Sequence, residues 1–144
     1  GGMMHTVTRT HEIACGHRVF GHESKCAHLH GHNYTIEFTC VGCGCLDGLG
    51  RVIDFGVIKE RLCAWLEANW DHRMLLWEKD PLGPVLAYMD PKTVLVPFNP
   101  TAENMAQFLV ETVGPEALRG TGVVLLGVTV WETSKCCATF ELNR

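Results

Sequence analysis

Several marks of large protein classes are absent from this chain. No apolar run approaches the ~20 residues that a membrane-spanning helix needs, and the sequence shows neither a secretory signal peptide nor an internal repeat or low-complexity stretch. The formal net charge is -4, which gives no support for nucleic-acid binding, because that function usually needs a basic face. We therefore expect a cytoplasmic protein without a membrane or nucleic-acid partner.

Length and composition are those of one folded domain. The chain has 144 residues, of which 47% are hydrophobic and 19% are charged, and this supplies enough apolar surface for a core. Gly1 and Gly2 precede Met3 and are interpreted as a remnant of expression, so the predicted domain is 3–144. Histidine and cysteine are abundant, with eight of each, and without a signal peptide they favour metal binding or catalysis over a disulfide framework.

Hydrophobic periodicity predicts an α+β domain. Two segments have the spacing of amphipathic helices, and the other apolar segments alternate or are rich in β-branched residues, as strands are. We expect an antiparallel four-stranded sheet with two helices on one face, including a hairpin between 33–41 and 51–55. The predicted strands are 6–14, 33–41, 51–55, 93–98, 123–131 and 136–142, and the predicted helices are 57–70 and a segment from Thr101, as N-cap, to a stop at Gly114-Pro115.

One segment concentrates residues that bind metals. His30 and His32 are two apart where a strand begins, so both imidazoles project from the same face, and antiparallel pairing can bring His17 alongside. Three neutral imidazoles suit a catalytic zinc ion because they leave the fourth position open, although copper, iron and nickel also accept imidazole. Spacing alone does not exclude His22 and His28 as ligands, and surface histidines in a loop are the alternative interpretation.

A thiol and an acid–imidazole pair are further candidates for chemistry. Cys26 lies four positions before His30 and can act as a nucleophile or base; the alternatives are a buried small hydrophobe and a fourth ligand that closes the metal site. Asp71 and His72 follow the first predicted helix, where the carboxylate can orient the imidazole for acid–base catalysis. A polar helix C-terminus is an equally good interpretation of this pair.

Glu132 is the remaining unusual residue. It continues the alternation of Val124, Leu126, Val128 and Val130, which places a carboxylate at the end of an apolar face, where it needs a partner. The side chain either lies at an exposed strand end or is aimed at a ligand with paired N–H donors, such as the guanidine-like edge of a pterin or of guanine.

Six segments together resemble the 6-pyruvoyltetrahydropterin synthase / 6-carboxytetrahydropterin synthase family. Each segment is weak by itself, but all six stand in family order, and the resemblance covers about 11–140, nearly the whole chain. The segments are Ala14-Cys15-Gly16-His17-Arg18, Cys26-X-X-X-His30-Gly31-His32-Asn33-Tyr34, Val52-Ile53-Asp54-Phe55-Gly56, Asp71-His72-Arg73, Pro100-Thr101-Ala102-Glu103-Asn104 and Trp131-Glu132-Thr133.

This resemblance implies the tunnelling fold, in which subunits pair strands into an oligomeric barrel, commonly a homohexamer with active sites at subunit interfaces. It implies that Cys26 is the catalytic thiol and that Glu132 anchors the pterin ring and contributes to the catalytic relay. Thr101 and Glu103 fall in the segment that helps form the pterin pocket, although helix capping is an alternative role for them. The matched zinc ligands are His17, His30 and His32, and the matched catalytic dyad is Asp71 and His72, which can serve Cys26 of a neighbouring subunit.

The implied activity is that of a zinc-dependent lyase of the queuosine or 7-deazapurine pathway. Such an enzyme converts 7,8-dihydroneopterin triphosphate to 6-carboxy-5,6,7,8-tetrahydropterin and releases acetaldehyde and triphosphate. Three residues separate Cys26 from His30, which is similar to the bacterial carboxy-forming enzymes, whereas the animal pyruvoyl-forming enzymes have a longer insertion. The alternatives are a 6-pyruvoyltetrahydropterin synthase, which only eliminates triphosphate, and a non-catalytic pterin- or metal-binding homologue.

The chain departs from the usual pattern of the family at several positions. Cys15-Gly16 replaces the usual small pair before the first zinc-binding histidine, and Leu76 stands where the family often has asparagine. The remaining departures are a three-cysteine turn at Cys40, Cys43 and Cys45, and the pair Cys136-Cys137. A metal- or redox-responsive protein built on the three-cysteine turn is therefore the rival from another functional class, against an ordinary hairpin tip with free thiols.

Overall fold

The computed structural model describes residues 4–42 and 44–143, whose strands form one mixed six-stranded sheet. The strands are β1 (Thr6–His17), β2 (His30–Gly42), β3 (Arg73–Trp77), β4 (Val94–Val96), β5 (Val123–Thr133) and β6 (Cys136–Glu141). They lie in the order β4-β3-β1-β2-β5-β6, and the expected four-stranded antiparallel sheet is therefore wrong in strand number and direction. The pairs β1–β2, β2–β5 and β5–β6 are antiparallel, but β3 and β4 add two parallel pairs beyond β1.

The long hairpin of the sheet is formed by β1 and β2. Thr6 lies opposite Val41 and His17 lies opposite His30, so the two strands pair over their full length. The predicted hairpin between 33–41 and 51–55 is wrong. Its second segment begins a helix instead, because the Asp54 side chain accepts the backbone N–H of Gly56 and caps the first turn.

Residues 73–96 hold structure that periodicity did not predict. β3 pairs in parallel with β1 over only three positions, Arg73 to Leu75, and is too short to show clear alternation. The helix Leu82–Met89 lies between the predicted helix 57–70 and the predicted strand 93–98, where no element was predicted. The predicted strand at 93–98 is confirmed as β4, which extends the sheet beyond β3.

Two long helices pack on one face of the sheet. Each is interrupted by one π-helical turn; the first is built from Phe55–Ile58, Lys59–Cys63 and Ala64–Asn69, and the second from Ala102–Phe108, Leu109–Val113 and Gly114–Ala117. The predicted N-cap is confirmed, since the Thr101 hydroxyl accepts the N–H of Asn104 at 3.1 Å. The predicted stop at Gly114-Pro115 is wrong, because Pro115 enters at a first-turn position where its missing N–H is tolerated. None of the helices in the described ranges is long and apolar enough to span a bilayer.

The core lies between these helices and the sheet. Side chains from β2 that are fully buried include Tyr34, Ile36 and Phe38, and they pack with apolar residues of both long helices. The same face of the β1–β2 hairpin continues past Tyr34 to the strand ends at His17 and His30, since successive alternate residues share one face. The hydrophobic core therefore ends at a group of histidines.

β5 departs from simple alternation at two places. Its register shifts opposite Thr39 and Cys40, and Val124 is 40% exposed whereas Leu125 is 2% exposed, so the expected parity from Val124 to Glu132 does not run unbroken. A second irregularity lies between Trp131 and Thr133, where Glu132 has no opposite residue in β6. Glu132 nevertheless follows the buried Val128 and Val130 by alternation on the inner face of β5, and its Oε2 lies 3.7 Å from Nε2 of His32.

Candidate metal centre and active site

Pairing of β1 with β2 brings three histidine side chains together. His17 lies opposite His30, and the alternation of β2 places His32 on the same face. One ring nitrogen of each histidine lies within 4.8 Å of the other two, and the ring centroids of His17 and His30 are 4.6 Å apart. This is the metal-binding group found among the described residues, and it contains neither His22 nor His28.

Backbone carbonyls orient two of these rings. Nδ1 of His17 is 2.6 Å from the carbonyl oxygen of Pro100, and Nδ1 of His30 is 2.7 Å from that of His28. Since a carbonyl oxygen only accepts hydrogen bonds, Nδ1 carries the proton in both rings, and Nε2 keeps its lone pair for a metal. His28 therefore contributes to the site through its backbone and not through its imidazole.

The third histidine tests whether the group fits a cation. Nε2 of His32 is buried and has no hydrogen-bond partner in the described structure, and the nearest carboxylate oxygen, Oε2 of Glu132, is 3.7 Å away. Buried polar atoms are rarely left without a partner, and a bound metal ion would use this lone pair. The three imidazoles therefore fit a metal ion, with Glu132 adding negative charge beside it.

Burial favours the neutral form of two of these ligands. His17 is 2% exposed, and burial lowers its pKa to about 4, against the weaker opposing effect of the hydrogen bond to Pro100. Burial also lowers the pKa of His32, partly offset by the charge of Glu132. Since a histidine must be neutral to bind metal, the site is prepared for an ion at neutral pH.

Glu132 also borders a cavity of about 430 Å3 that opens beside the histidine group. Ala102 and Glu103 of the second long helix line this cavity, as do Cys136 and Cys137 of β6. The structure thus brings together the two predicted carboxylates, Glu132 and Glu103, and adds a cysteine pair that the sequence left unassigned. Thr101 does not line this cavity in the described residues, and its hydroxyl serves as the helix cap.

Asp71 and His72 form the expected hydrogen-bonded pair. Although adjacent side chains usually diverge, His72 has a φ of 58°, and this left-handed turn places its Nδ1 2.9 Å from Oδ2 of Asp71. The other carboxylate oxygen accepts the N–H of Ala14 at 3.0 Å, which ties the pair to β1. Burial would raise the pKa of Asp71, but the hydrogen bonds from His72 and Ala14 outweigh it and hold that pKa below its ordinary value.

The pair does not reach the three-histidine group within one chain. The His72 side chain is 80% exposed and lines a second cavity, of about 490 Å3. Four of its lining residues, Ala14, Gly16, Gly31 and Asn33, alternate with the histidine group along β1 and β2, but Cys15 and His32 border it as well. Among the described residues, no hydrogen bond or ion pair joins Asp71 or His72 to the three histidines.

Cys26 lies in the loop that joins His17 to His30. It occupies a single 3-10 turn, Lys25–Ala27, and is half-buried. The Tyr34 hydroxyl is 3.2 Å from Nε2 of His17, and its pKa is raised chiefly by burial, with Cys26 among the nearby groups that add to the effect. The described metal-binding group does not include Cys26, so the interpretation as a fourth ligand receives no support.

Other polar groups near the site have partners elsewhere in the fold. The Arg18 guanidinium makes a two-pronged ion pair with Asp80, with Nε 2.7 Å from Oδ2, and it is therefore not a free anion-binding group. Burial, with a smaller effect of Asp71, raises the pKa of Cys15 to about 12, as burial does for Cys40. Cys43 lies outside the described residues, so the three-cysteine turn stays an untested prediction.

Three convergent imidazoles lie near a cavity lined by carboxylates. A site of this kind is typical of α+β proteins that can bind a metal ion and leave one coordination position open for a ligand. The sequence matches the profile of the 6-pyruvoyl tetrahydropterin synthase family over residues 6–143, and the chain belongs to this family. The resemblance inferred from the six sequence segments is thereby confirmed.

Individual relatives agree with this assignment. The 6-carboxy-5,6,7,8-tetrahydropterin synthase of Rickettsia typhi is 37% identical over 131 residues, which cover 90% of this chain and 94% of that protein. A crystal structure of a Wolinella succinogenes protein has a TM-score of 0.85 at 21% identity, covering 99% of this chain and 100% of that one. The Caenorhabditis elegans 6-pyruvoyl tetrahydropterin synthase has a TM-score of 0.68 at 24% identity, covering 98% and 97%. The two structures show that the fold is shared.

Proposed function

We propose that this protein is a zinc-dependent lyase acting on 7,8-dihydroneopterin triphosphate. With one water consumed, it yields 6-carboxy-5,6,7,8-tetrahydropterin, acetaldehyde and triphosphate, on the route to queuosine and related 7-deazapurines. The observation that carries the proposal is the group of three convergent imidazoles, one of which has its Nε2 3.7 Å from Oε2 of Glu132. The Rickettsia typhi relative, which bears the name of the carboxy-forming enzyme, supports this product over the pyruvoyl one.

Three imidazoles suit zinc and leave a position open for substrate. When bound there, zinc supplies a Lewis acid that polarises side-chain oxygens of the substrate and acidifies the neighbouring C–H bonds. The carbonyls of Pro100 and His28 hold the rings of His17 and His30 so that both Nε2 atoms face the ion. Such outer partners fix the orientation of metal ligands.

The cavity beside Glu132 suits the pterin ring. Its volume of about 430 Å3 lies within the range of small-molecule sites. The Glu132 carboxylate can accept two hydrogen bonds from the 2-amino group and N3–H of a pterin, and such charge-assisted pairs are strong. Glu103 at the same cavity offers a second acceptor for the ring.

Proton transfer is assigned to Cys26 and His72. The Cys26 thiolate removes and returns protons at the side-chain carbons, and His72, oriented by Asp71, is the complementary acid or base. Because the exposed His72 makes no hydrogen bond to the histidine group or to Cys26 among the described residues, we assign the dyad to Cys26 of a neighbouring subunit. This assignment requires an oligomer, and the homohexameric barrel expected from the family resemblance provides one.

Product analysis tests the proposal. Zinc-loaded protein is incubated with 7,8-dihydroneopterin triphosphate, and the products are identified by mass spectrometry, with Cys26→Ala as the matched variant. We expect acetaldehyde and the 6-carboxy product from the wild type, and a loss of most turnover with one zinc per chain in Cys26→Ala. A 6-pyruvoyl product would replace the assigned reaction with triphosphate elimination alone. Pterin binding without turnover would make the chain a non-catalytic homologue, and zinc loss in Cys26→Ala would make the thiol a structural ligand.

A further inference from the structure

Asn99 binds both backbone groups of one residue in the loop that carries Cys26. Its Oδ1 accepts the N–H of Phe20 at 3.1 Å, and its Nδ2 donates to the carbonyl of Phe20 at 2.9 Å. One side-chain amide thus satisfies a donor and an acceptor of the same residue, in the way that a neighbouring strand would. These contacts join two segments that are 79 positions apart in the chain.

Hydrogen bonds within the loop connect the backbone next to Phe20 with Cys26. The N–H of Val19, the residue before Phe20, donates to the carbonyl of Cys26 at 2.8 Å, and the carbonyl of Val19 accepts the N–H of His22 at 3.1 Å. The loop therefore closes on itself at Cys26. A displacement of Phe20 moves its neighbour Val19, and with it the backbone that presents the thiol.

Asn99 is itself held by the elements that build the histidine group. Its carbonyl accepts the N–H of Thr101 at 2.7 Å and Nδ2 of Asn104 at 3.0 Å, which attaches it to the first turn of the second long helix. The next residue, Pro100, accepts the hydrogen bond from Nδ1 of His17 at 2.6 Å. The short segment Asn99-Pro100 therefore orients a metal ligand through Pro100 and binds the loop that carries Cys26 through Asn99.

The start of the loop has a separate attachment. Arg18 is paired with the buried carboxylate of Asp80, whose side chain is 0% exposed. This ion pair does not involve Asn99, so the loop stays anchored at its first residue when the amide is removed. A variant at Asn99 is therefore expected to fold and to alter the inner part of the loop selectively.

We propose that Asn99 is a positioning residue that sets the place of the Cys26 thiol relative to the three-histidine group by clamping Phe20. The consequence for catalysis rests on the proposed function, in which Cys26 transfers protons, but the clamp itself does not. Misplacement of a reacting group by about 1 Å costs on the order of 100-fold in rate. Loss of the clamp therefore lowers kcat far more than it weakens substrate binding.

The test compares Asn99→Ala and Asn99→Asp with Gln107→Ala. Gln107 makes an exposed side-chain hydrogen bond to Glu111 at 2.6 Å, so its removal controls for the loss of a surface amide. Asn99→Asp keeps the acceptor for the N–H of Phe20 and loses only the donor. Each protein is assayed for zinc content, for thermal unfolding, and for the iodoacetamide alkylation rate of Cys26, resolved from the other cysteines by peptide mass spectrometry.

In Asn99→Ala we expect Cys26 alkylation to change by about 10-fold, because two net hydrogen bonds to the loop are lost. We expect kcat to fall by about 10- to 100-fold with KM within about 3-fold of the wild type, and zinc to remain. Asn99→Asp gives a smaller change of the same kind, and Gln107→Ala gives none.

Two results overturn the proposal. Wild-type alkylation and kcat in Asn99→Ala would show that the loop holds its place without the clamp. Equal effects in Asn99→Ala and Gln107→Ala would show a general loss of stability. If Asn99→Ala does not fold, the same comparison is decided by Asn99→Asp. If the wild type forms no product, the proposed function fails, and the alkylation rates still decide whether Asn99 positions Cys26.

Discussion

Two histidines of this protein are oriented by a hydrogen bond at Nδ1, one with a neutral carbonyl and the other with a charged carboxylate. His17 bonds to the carbonyl of Pro100 and is 2% exposed, at the end of the hydrophobic core. His72 bonds to the carboxylate of Asp71, and its side chain is 80% exposed. The same side chain is thus prepared for two kinds of chemistry within one small domain.

The partner and the burial together decide which chemistry is available. A neutral carbonyl in a buried site fixes the ring but does not stabilise its charge, so His17 stays neutral, with burial lowering its pKa to about 4, and it can bind a metal. The Asp71 carboxylate fixes the orientation of the exposed His72 ring, which suits the acid–base role proposed for it. The difference predicts that the two histidines fail differently when removed.

The largest effect is expected from His17→Ala. This change removes a ligand whose ring is held by both Pro100 and the core, and two imidazoles bind zinc much more weakly than three. We expect purified His17→Ala to contain well under one zinc per chain by atomic absorption and to show no detectable turnover. A variant that kept full zinc would contradict the assignment of His17 as a ligand.

His72→Gln is expected to be the next most severe change and to leave the metal in place. Loss of a general acid or base costs about 100- to 10,000-fold in rate, whereas His72 is not one of the three convergent histidines that fit a metal ion. Turnover should fall by that factor while zinc stays at one per chain. Zinc loss in His72→Gln would show that the two histidines do not have the separate roles assigned to them.

A mixture of two inactive variants provides the control for this prediction. If the dyad serves Cys26 of a neighbouring subunit, His72→Gln and Cys26→Ala chains refolded together contain some sites with both groups intact. Random pairing restores about a quarter of the sites, and the mixture regains activity that neither variant shows alone. No recovery in mixed oligomers would require the dyad and the thiol to act within one chain.

A smaller effect is expected in the pH dependence of the metal-free protein. The pKa of His17 in the folded protein, about 4, lies below its ordinary value of 6.5, so between these values the unfolded chain binds more protons. The contribution of His17 to the free energy of unfolding is therefore complete above pH 6.5 and is lost as pH drops toward 4, by about 3 kcal/mol at most. Urea unfolding at several pH values measures this. His17→Gln reduces the dependence and leaves the part due to the lowered pKa of His32, whereas His72→Gln keeps all of it. An equal dependence in His17→Gln would contradict the cause.

A part of this site could be predicted from sequence when it depends on residues that are close together in the chain. The histidine group was predictable because His30 and His32 share a face by strand alternation and His17 ends the preceding strand. The segments of the family resemblance also located Glu132 and the Asp71–His72 pair. Spacing alone left this pair open, because the left-handed φ of 58° at His72, which lets adjacent side chains meet, has no sequence signal as clear as a glycine.

What sequence reasoning missed depends on contacts between distant segments or on irregular backbone. β3 pairs with β1 over only three residues, so its stability comes from the sheet and not from its own pattern. The parity expected along β5 failed at a register shift near Leu126, although it holds from Val128 to Glu132. Likewise Pro100 and Asn99 approach the histidines and Phe20 only after the chain has folded.

The smallest effect is expected from His28→Ala. This variant tests the distinction between a metal ligand and a neighbouring histidine whose imidazole is not a ligand. His28 lies two residues before the ligand His30 and meets it only through its carbonyl, 2.7 Å from Nδ1 of His30. Alanine keeps this carbonyl, so zinc content and turnover should stay within about 2-fold of the wild type, as for most surface substitutions. The matched change His30→Ala removes the ring that faces the ion and should abolish both. Zinc loss in His28→Ala would mean that the metal uses the imidazole of His28, and that the carbonyl contact does not define the role of this residue.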